Sequence, residues 1–244
     1  MTMNGYKTDS INLDTWDKVS EFLDAGFWQP SPTFFEHVIQ HKNLYPTDAF
    51  SKGQLASKSW LLKVLYSVIP EEFKKPATKK VLYSVIPNVT ILGSWIGTLV
   101  EPLHKNFNLE RIYGIDLDAR SIELSEKLNQ KYVQDGWKYK GVVSDINMLN
   151  CDNMEFETGG ELITIKPDWI INTSCEHMTT EWFNSIDSDQ LIIMQTNDSE
   201  GFEGHINTCK DVKDMMEKYP LSKIEYAGEL KTPAYTRLMQ IGYK

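Results

Sequence analysis

The sequence predicts an α/β chain: a seven-stranded, mostly parallel sheet that closes with an antiparallel hairpin, preceded by a helical N-terminal cap. Three observations carry this reading. From Asn88 onward, short apolar runs alternate with amphipathic segments, the pattern of strands covered by helices on both faces. The last two runs, SKIEYAGEL and TRLMQIGY, are separated only by KTPAY, too little chain for a crossover, so they pair antiparallel. With 244 residues and 41% hydrophobic content, the chain suffices for one such domain and a smaller extension, and is short for two full domains.

Taken in order, residues 10–65 read as helices with short breaks. NLDTWDKVSEFLDAGF offers Asp14 as a cap and sets Trp16, Val19, Phe22 and Leu23 on one face. SPTFFEHVIQHKNLY opens on Ser31-Pro32, a favoured helix start, and is expected to stop before Pro46. A third helix runs through SKGQLASKSWLLKVLYSVI to Pro70. These make residues 1–87 a helical cap and linker, with 88–244 as the sheet domain. The string KVLYSVIP occurs at 63–70 and again at 80–87; a solenoid would repeat many times, so this is one local duplication without a catalytic role. Its first copy should end the third helix, whereas the second fits either helix or strand.

The strands are expected at NVTILGS, RIYGIDL, KGVVSDI, PDWIINTS and DQLIIMQT, followed by the two hairpin runs. Helices are expected at GTLVEPLHKNF, ARSIELSEKLNQKYVQ and TTEWFNSI, with a weak one near NMLN.

Composition excludes several classes. No apolar stretch approaches the ~18 residues that span a bilayer, and MTMNGYKTDS lacks the regions of a signal peptide, so a cytoplasmic protein without a membrane partner is expected. Cys151, Cys175 and Cys209 show no paired spacing and read as reduced thiols. A net charge of −9 with scattered basic residues argues against a nucleic-acid partner. No HExxH, GxSxG or carboxylate cluster with metal spacing occurs, so no metal is expected.

The chemistry concentrates after the first, second and fourth strands. Gly93-Ser94-Trp95-Ile96-Gly97 follows the first strand, where glycines admit a ligand to the backbone, although an ordinary tight turn has the same composition. Asp116 ends the second strand about 20 residues beyond that loop, where an acidic side chain accepts both hydroxyls of a ribose. Asp118 reads as the cap of the next helix.

In these features the chain resembles the class I S-adenosylmethionine-dependent methyltransferases, a Rossmann-like family. The resemblance covers roughly residues 88–244: glycine loop, GIDLD, VVSDI, IINTSCEHM and terminal hairpin. It departs in the loop, where Ser94, Trp95 and Ile96 fill the interior of the family's glycine pattern. It implies S-adenosylmethionine as cofactor, with Gly93, Ser94, Trp95 and Gly97 beside its methionine part. Asp116 would take the ribose, Asp145 with the Ile146 backbone would meet the adenine, and Leu117 would also contact the cofactor. It further implies a transfer site lined by Asn172, Glu176 and His177, with Asn172 touching the cofactor as well. His177 would take the acceptor's proton, as a group of near-neutral pKa can.

Each of these has a plainer alternative: Asp145 can cap a turn, Asn172 can satisfy nearby backbone, and Glu176 and His177 can tie a loop to a helix. Asn197 and His205, at the end of the fifth strand and in its loop, are candidates to bind the acceptor. The nearby Asp198, Glu200 and Glu203 would suit a cationic one. Lys58 is expected to be solvated beside a buried Trp60, and Tyr235 and Arg237 to be structural. The activity implied is methyl transfer to the oxygen or nitrogen of a small or medium-sized acceptor. Transfer of an aminopropyl or aminobutyryl group, nucleic-acid methylation and non-catalytic cofactor binding remain alternatives on the same fold.

Overall fold

The computed structural model describes residues 2–3, 5–75, 87–158, 160–187 and 189–244. Its centre is a sheet formed by β4 (Asn88–Leu92), β5 (Arg111–Asp116), β6 (Tyr139–Val143), β9 (Trp169–Asn172), β10 (Leu191–Asn197), β11 (Lys223–Lys231) and β12 (Thr236–Tyr243), all seven of the expected strands. They lie in the order β6-β5-β4-β9-β10-β12-β11. β12 is antiparallel to both its neighbours, and the other pairs are parallel.

Strands buried on both faces alternate between two cores. Ile91, Ile112, Ile171 and Ile193 face one core, whereas Leu92, Ile115, Ile170 and Ile192 face the other. The first core is filled by the N-terminal helices α1 (Trp16–Asp24), α2 (Pro32–Gln40) and α3 (Lys52–Val68), together with α4 (Val100–Asn106) and α5 (Ala119–Leu128). The second lies under α7 (Glu181–Asn184) and α8 (Val212–Lys218).

Register decides where the site forms. Leu92 pairs with Ile115 on one side and with Asn172 on the other, and Asn172 pairs with Met194. The strands therefore end level, and the segments beginning at Gly93, Leu117 and Thr173 leave the sheet side by side. Sheets of this kind bind ligands along that edge.

Several elements differ from expectation. Short strands β1 (Thr2–Met3), β2 (Tyr6–Lys7) and β3 (Ser10–Asn12) extend the sheet to ten strands among the described residues, β2 and β3 both pairing with β11. The segment before Asn88 is thus helical only in part. Thr15 caps α1 through its Oγ1, while Asp14 is paired to Lys18 at 2.8 Å. α2 ends at Gln40, because residues 41–45 turn back through Leu44 N–H donating to His41 O. The long helix expected after β5 breaks at Asn129, whose amide donates to Gly97 O and Ser125 O, and resumes as α6 (Gln130–Gln134). NMLN contributes only to a 3-10 turn at Ile146–Met148. A separate hairpin, β7 (Met154–Thr158) with β8 (Glu161–Ile165), turns through Gly160 at φ +82°. The first KVLYSVIP copy ends α3, as expected; the second lies outside the described residues except for Pro87.

The cap is fastened to the sheet edge. Ser57 and Gln195 exchange hydrogen bonds at 2.9 and 3.2 Å, and Trp28 Nε1–H donates to Thr98 O at 3.2 Å. Trp60 packs edge-on against Tyr226, 6.2 Å between centroids. These contacts hold one face of α3 over the strand ends. Among the described residues no helix is long and apolar enough to cross a membrane.

Candidate functional site

A cavity of about 510 Å³ opens along the strand ends, within the range of small-molecule sites. The glycine loop forms one wall. Gly93 and Gly97 take φ of +63° and +69°, and a Cβ on Gly97 would stand 2.6 Å from Ser125 Oγ, so both positions need glycine. Trp95 between them also takes positive φ, +48°, a conformation costing a non-glycine residue about 1–2 kcal/mol. Its N–H compensates by donating to Asp116 Oδ2 at 2.8 Å, and Asp118 N–H binds Oδ1 at 3.0 Å. Each oxygen of Asp116 thus spends one lone pair on backbone and keeps another for a ligand in the cavity it lines. Asp118 caps α5, as expected.

Leu117, an exposed apolar side chain, lines the cavity together with the buried Ile146. Asp145 caps the 3-10 turn, its Oδ1 accepting from Asn147 N–H at 3.0 Å, and also lines the cavity. Eight of the nine residues expected to hold a cofactor line this cavity.

Asn172 is the ninth, and it is a correction. It is fully buried behind the wall, its Oδ1 accepting from Ser174 N–H at 3.0 Å and its amide turned to Met178 Sδ. The side chain shapes the turn after β9 and does not line the cavity, unlike the other eight. Cys175 beside it is fully buried, and burial pushes its thiol pKa well up.

Glu176 and His177 do reach the cavity. Glu176 is 3% exposed, and its Oε1 accepts from Arg237 Nη1 and from Asn197 Nδ2, both at 2.7 Å. Asn197 is thereby committed to Glu176 and, through Oδ1, to Ser199 N–H. His177 Nδ1 faces Gly204 O at 3.1 Å; a carbonyl only accepts, so Nδ1 carries the proton and Nε2 the lone pair of the neutral ring. His205 repeats the pattern on Ser199 O, and the two rings stand 4.6 Å apart, edge to face. A second cavity of about 410 Å³ holds His205, Asn197, Trp16, Phe202, Glu203 and Tyr235. It shares Asp48, Gln54, Glu176, His177 and Arg237 with the first, so one cleft runs from the glycine loop to the histidine pair. Of the acidic residues thought to suit a cationic acceptor, only Glu203 lines it; Asp198 instead accepts from Thr236 N–H.

One further correction concerns charge. Lys58 is not solvated: it is 7% exposed, lines the first cavity and donates to Gln54 Oε1 at 3.0 Å. Burial, aided by repulsion from Arg237 and opposed by Asp48, lowers its pKa to about 7. Arg237 lies in the wall of both cavities; burial opposes its charge, but Glu176 and Tyr235 outweigh it and hold the pKa above the usual value. Both had a signal in the sequence. Lys58 interrupts ASKSWLL, and Arg237 stands in an otherwise uncharged final strand, and a charge inside an element that folds inward needs a partner.

No protein-family model matches the chain, and no curated protein sequence matches it. Solved structures do. The N-methyltransferase NodS from Bradyrhizobium japonicum WM9, in complex with S-adenosyl-L-homocysteine, superposes with a TM-score of 0.54 at 11% identity, over 88% of this chain and 99% of that one. The magnesium protoporphyrin IX methyltransferase ChlM from Synechocystis PCC 6803, with bound S-adenosyl-L-homocysteine, gives 0.52 at 14% identity over 87% and 94%. The chain has the Rossmann-like fold of these methyltransferases.

Proposed function

We propose that the protein is an S-adenosylmethionine-dependent methyltransferase acting on an oxygen or nitrogen atom of a small or medium-sized acceptor. The observation that carries this reading is the single cleft joining the glycine loop, Asp116 and Lys58 to His177, His205 and an aromatic-walled second cavity. The residues present fit the cofactor. Leu117 and Ile146 supply apolar contacts for an adenine, Asp116 has lone pairs left for ribose hydroxyls, and Lys58 is a buried cation with one protein acceptor, suited to a carboxylate. Gly93 and Gly97, at positive φ, line the same cavity with backbone, where the methionine chain would lie.

S-adenosylmethionine, when bound, supplies a methyl group made electrophilic by its sulfonium sulfur. What the protein must add is alignment, exclusion of water and removal of a proton. Trp16, Phe202 and Tyr235 would hold the acceptor's body, and Glu203 and Asp48 favour one bearing an amine. The Nε2 lone pair of His177 is available for the acceptor's proton, its tautomer held by Gly204 O.

The test is calorimetric titration with S-adenosylmethionine and S-adenosylhomocysteine, beside Asp116→Ala. Saturable binding that the variant loses, while melting as a folded protein, supports the reading and warrants an acceptor screen in which His177→Ala should lose turnover and keep cofactor. Folded wild-type protein that binds neither ligand would overturn it.

A further inference from the structure

We propose that Glu176, His177 and His205 form a binding site for one divalent first-row transition-metal ion, placed where the two cavities meet. One side-chain donor atom from each of the three lies within 4.8 Å of the others. Sequence spacing conceals the group, since His205 is brought in only because the segment between β10 and α8 folds back: Ile206 N–H and Asn207 N–H both donate to Glu176 O, at 2.8 and 3.0 Å.

Two independent features point to a cation. Glu176 gives Oε1 to Arg237 and Asn197, but its Oε2 is buried without a hydrogen-bond partner among the described residues. A carboxylate oxygen removed from water and left unpaired is costly, and a bound cation relieves that cost. Each histidine, in turn, directs Nδ1–H at a backbone carbonyl, Gly204 O for His177 and Ser199 O for His205. Metal-ligating histidines are oriented in this way, with the other nitrogen left as the donor. Two imidazoles and one carboxylate make a donor set suited to zinc and its neighbours, with positions left for a ligand from the cleft.

Arg237 repels a cation at this point, and Asp48 and Glu203, which line the same cavity, offset it. Bonds of about 2.0–2.2 Å require adjacent donors roughly 3.3 Å apart, so the three side chains must draw together around the ion. His205 sits in a stretch, 198–211, without helix or strand, where that movement breaks no regular structure. The consequence drawn for the acceptor rests on the methyltransferase reading: an acceptor atom bound to the ion would be held at the cavity junction, and the proton-accepting role proposed above for His177 would belong to the metal-free site. Binding of the ion itself does not depend on that reading.

The test uses chelator-stripped full-length protein carrying His41→Ala. This removes a competing pair at the end of α2, where the His37 and His41 rings lie 4.6 Å apart. Zn2+ is titrated by calorimetry, and Co2+ by visible absorption. The expected result is one ion per chain, bound at least tenfold more weakly after His177→Ala or His205→Ala, each checked by melting. No saturable binding, or binding that neither substitution weakens, would overturn the inference. The same samples are titrated with S-adenosylhomocysteine: its binding without zinc binding removes the cation site alone, while zinc binding without it leaves the site standing and removes the methyltransferase reading.

Discussion

Lys58 supplies the most discriminating prediction for the cofactor end of the cleft. Its ammonium is buried with Gln54 Oε1 as its hydrogen-bond acceptor, and its pKa is lowered to about 7 by burial first and Arg237 second. If it receives the carboxylate of S-adenosylhomocysteine, only the protonated form binds well, and apparent affinity scales with the protonated fraction. That fraction is about three-quarters at pH 6.5 and about 3% at pH 8.5, so the dissociation constant should rise by up to about 25-fold, or about 2 kcal/mol. Calorimetry across this range with S-adenosylhomocysteine should show the rise, while 5′-methylthioadenosine, which has no carboxylate, should bind with little pH dependence. Lys58→Met should weaken S-adenosylhomocysteine by roughly 10- to 100-fold at pH 6.5, the worth of a charged hydrogen bond, and abolish the slope. The sign for stability is opposite. The folded pKa lies below the unfolded value, so the unfolded chain binds more protons between pH 7 and 10.5, and the cost of this lysine is full below pH 7 and relieved as pH rises. Lys58→Met should therefore raise stability near pH 7, by an amount of order 4 kcal/mol. Equal pH slopes for both ligands, or an unchanged slope in the variant, would refute the assignment of Lys58 to a carboxylate.

Three other predictions concern the frame around the site. Gly97→Ala should destabilise the fold by about 2–4 kcal/mol in denaturant unfolding, because its φ is +69° and the new Cβ would meet Ser125 and Asn129 below 3.0 Å; Gly201→Ala, with open space at that position, should be near neutral. Arg237→Met leaves Glu176 buried without its counter-ion and should cost about 3–5 kcal/mol, part of which Glu176→Gln in the same chain should restore. His104, buried and stacked on Tyr132, has its pKa lowered to about 4, chiefly by burial. The unfolded state then binds more protons between pH 6.5 and 4, so stability should fall by about 3 kcal/mol as pH drops through that window, and His104→Phe should remove that part of the loss in pH-dependent melts.

Much of the fold was legible because it is written in local signals. Runs such as NVTIL and LIIMQTN are short and apolar, Ser31-Pro32 and Asp118 are helix starts, and KTPAY is too short to be anything but a hairpin connection. Where local signals compete, the reading went astray. Asp14 and Thr15 are both good caps, and the ion pair with Lys18 claimed the aspartate. Tyr6, Lys7 and Ser10–Asn12 are too short to show strand periodicity and are strands only because β11 offers an open edge. Asn129 sits in a plausible helix and breaks it because its amide is needed at Gly97 O. The β7–β8 hairpin was missed although Thr-Gly-Gly-Glu between alternating runs announces it.

The candidate site divides along the same line. Gly93, Gly97, Asp116, Leu117, Asp145 and Ile146 lie at strand ends or within a few residues after them, so once the strands are aligned their places are set by chain connectivity, and sequence alone determined them. Lys58, Arg237 and His205 belong to elements far away in the chain, and only the tertiary structure decided that they meet Glu176 and His177 in one cleft. The same holds for the loss of Asn172 to the turn and for the unpaired Oε2 of Glu176. The physical reason is that helix and strand patterns are recorded in the spacing of neighbouring residues, whereas burial, charge pairing and the direction of a lone pair depend on what the rest of the chain packs against them.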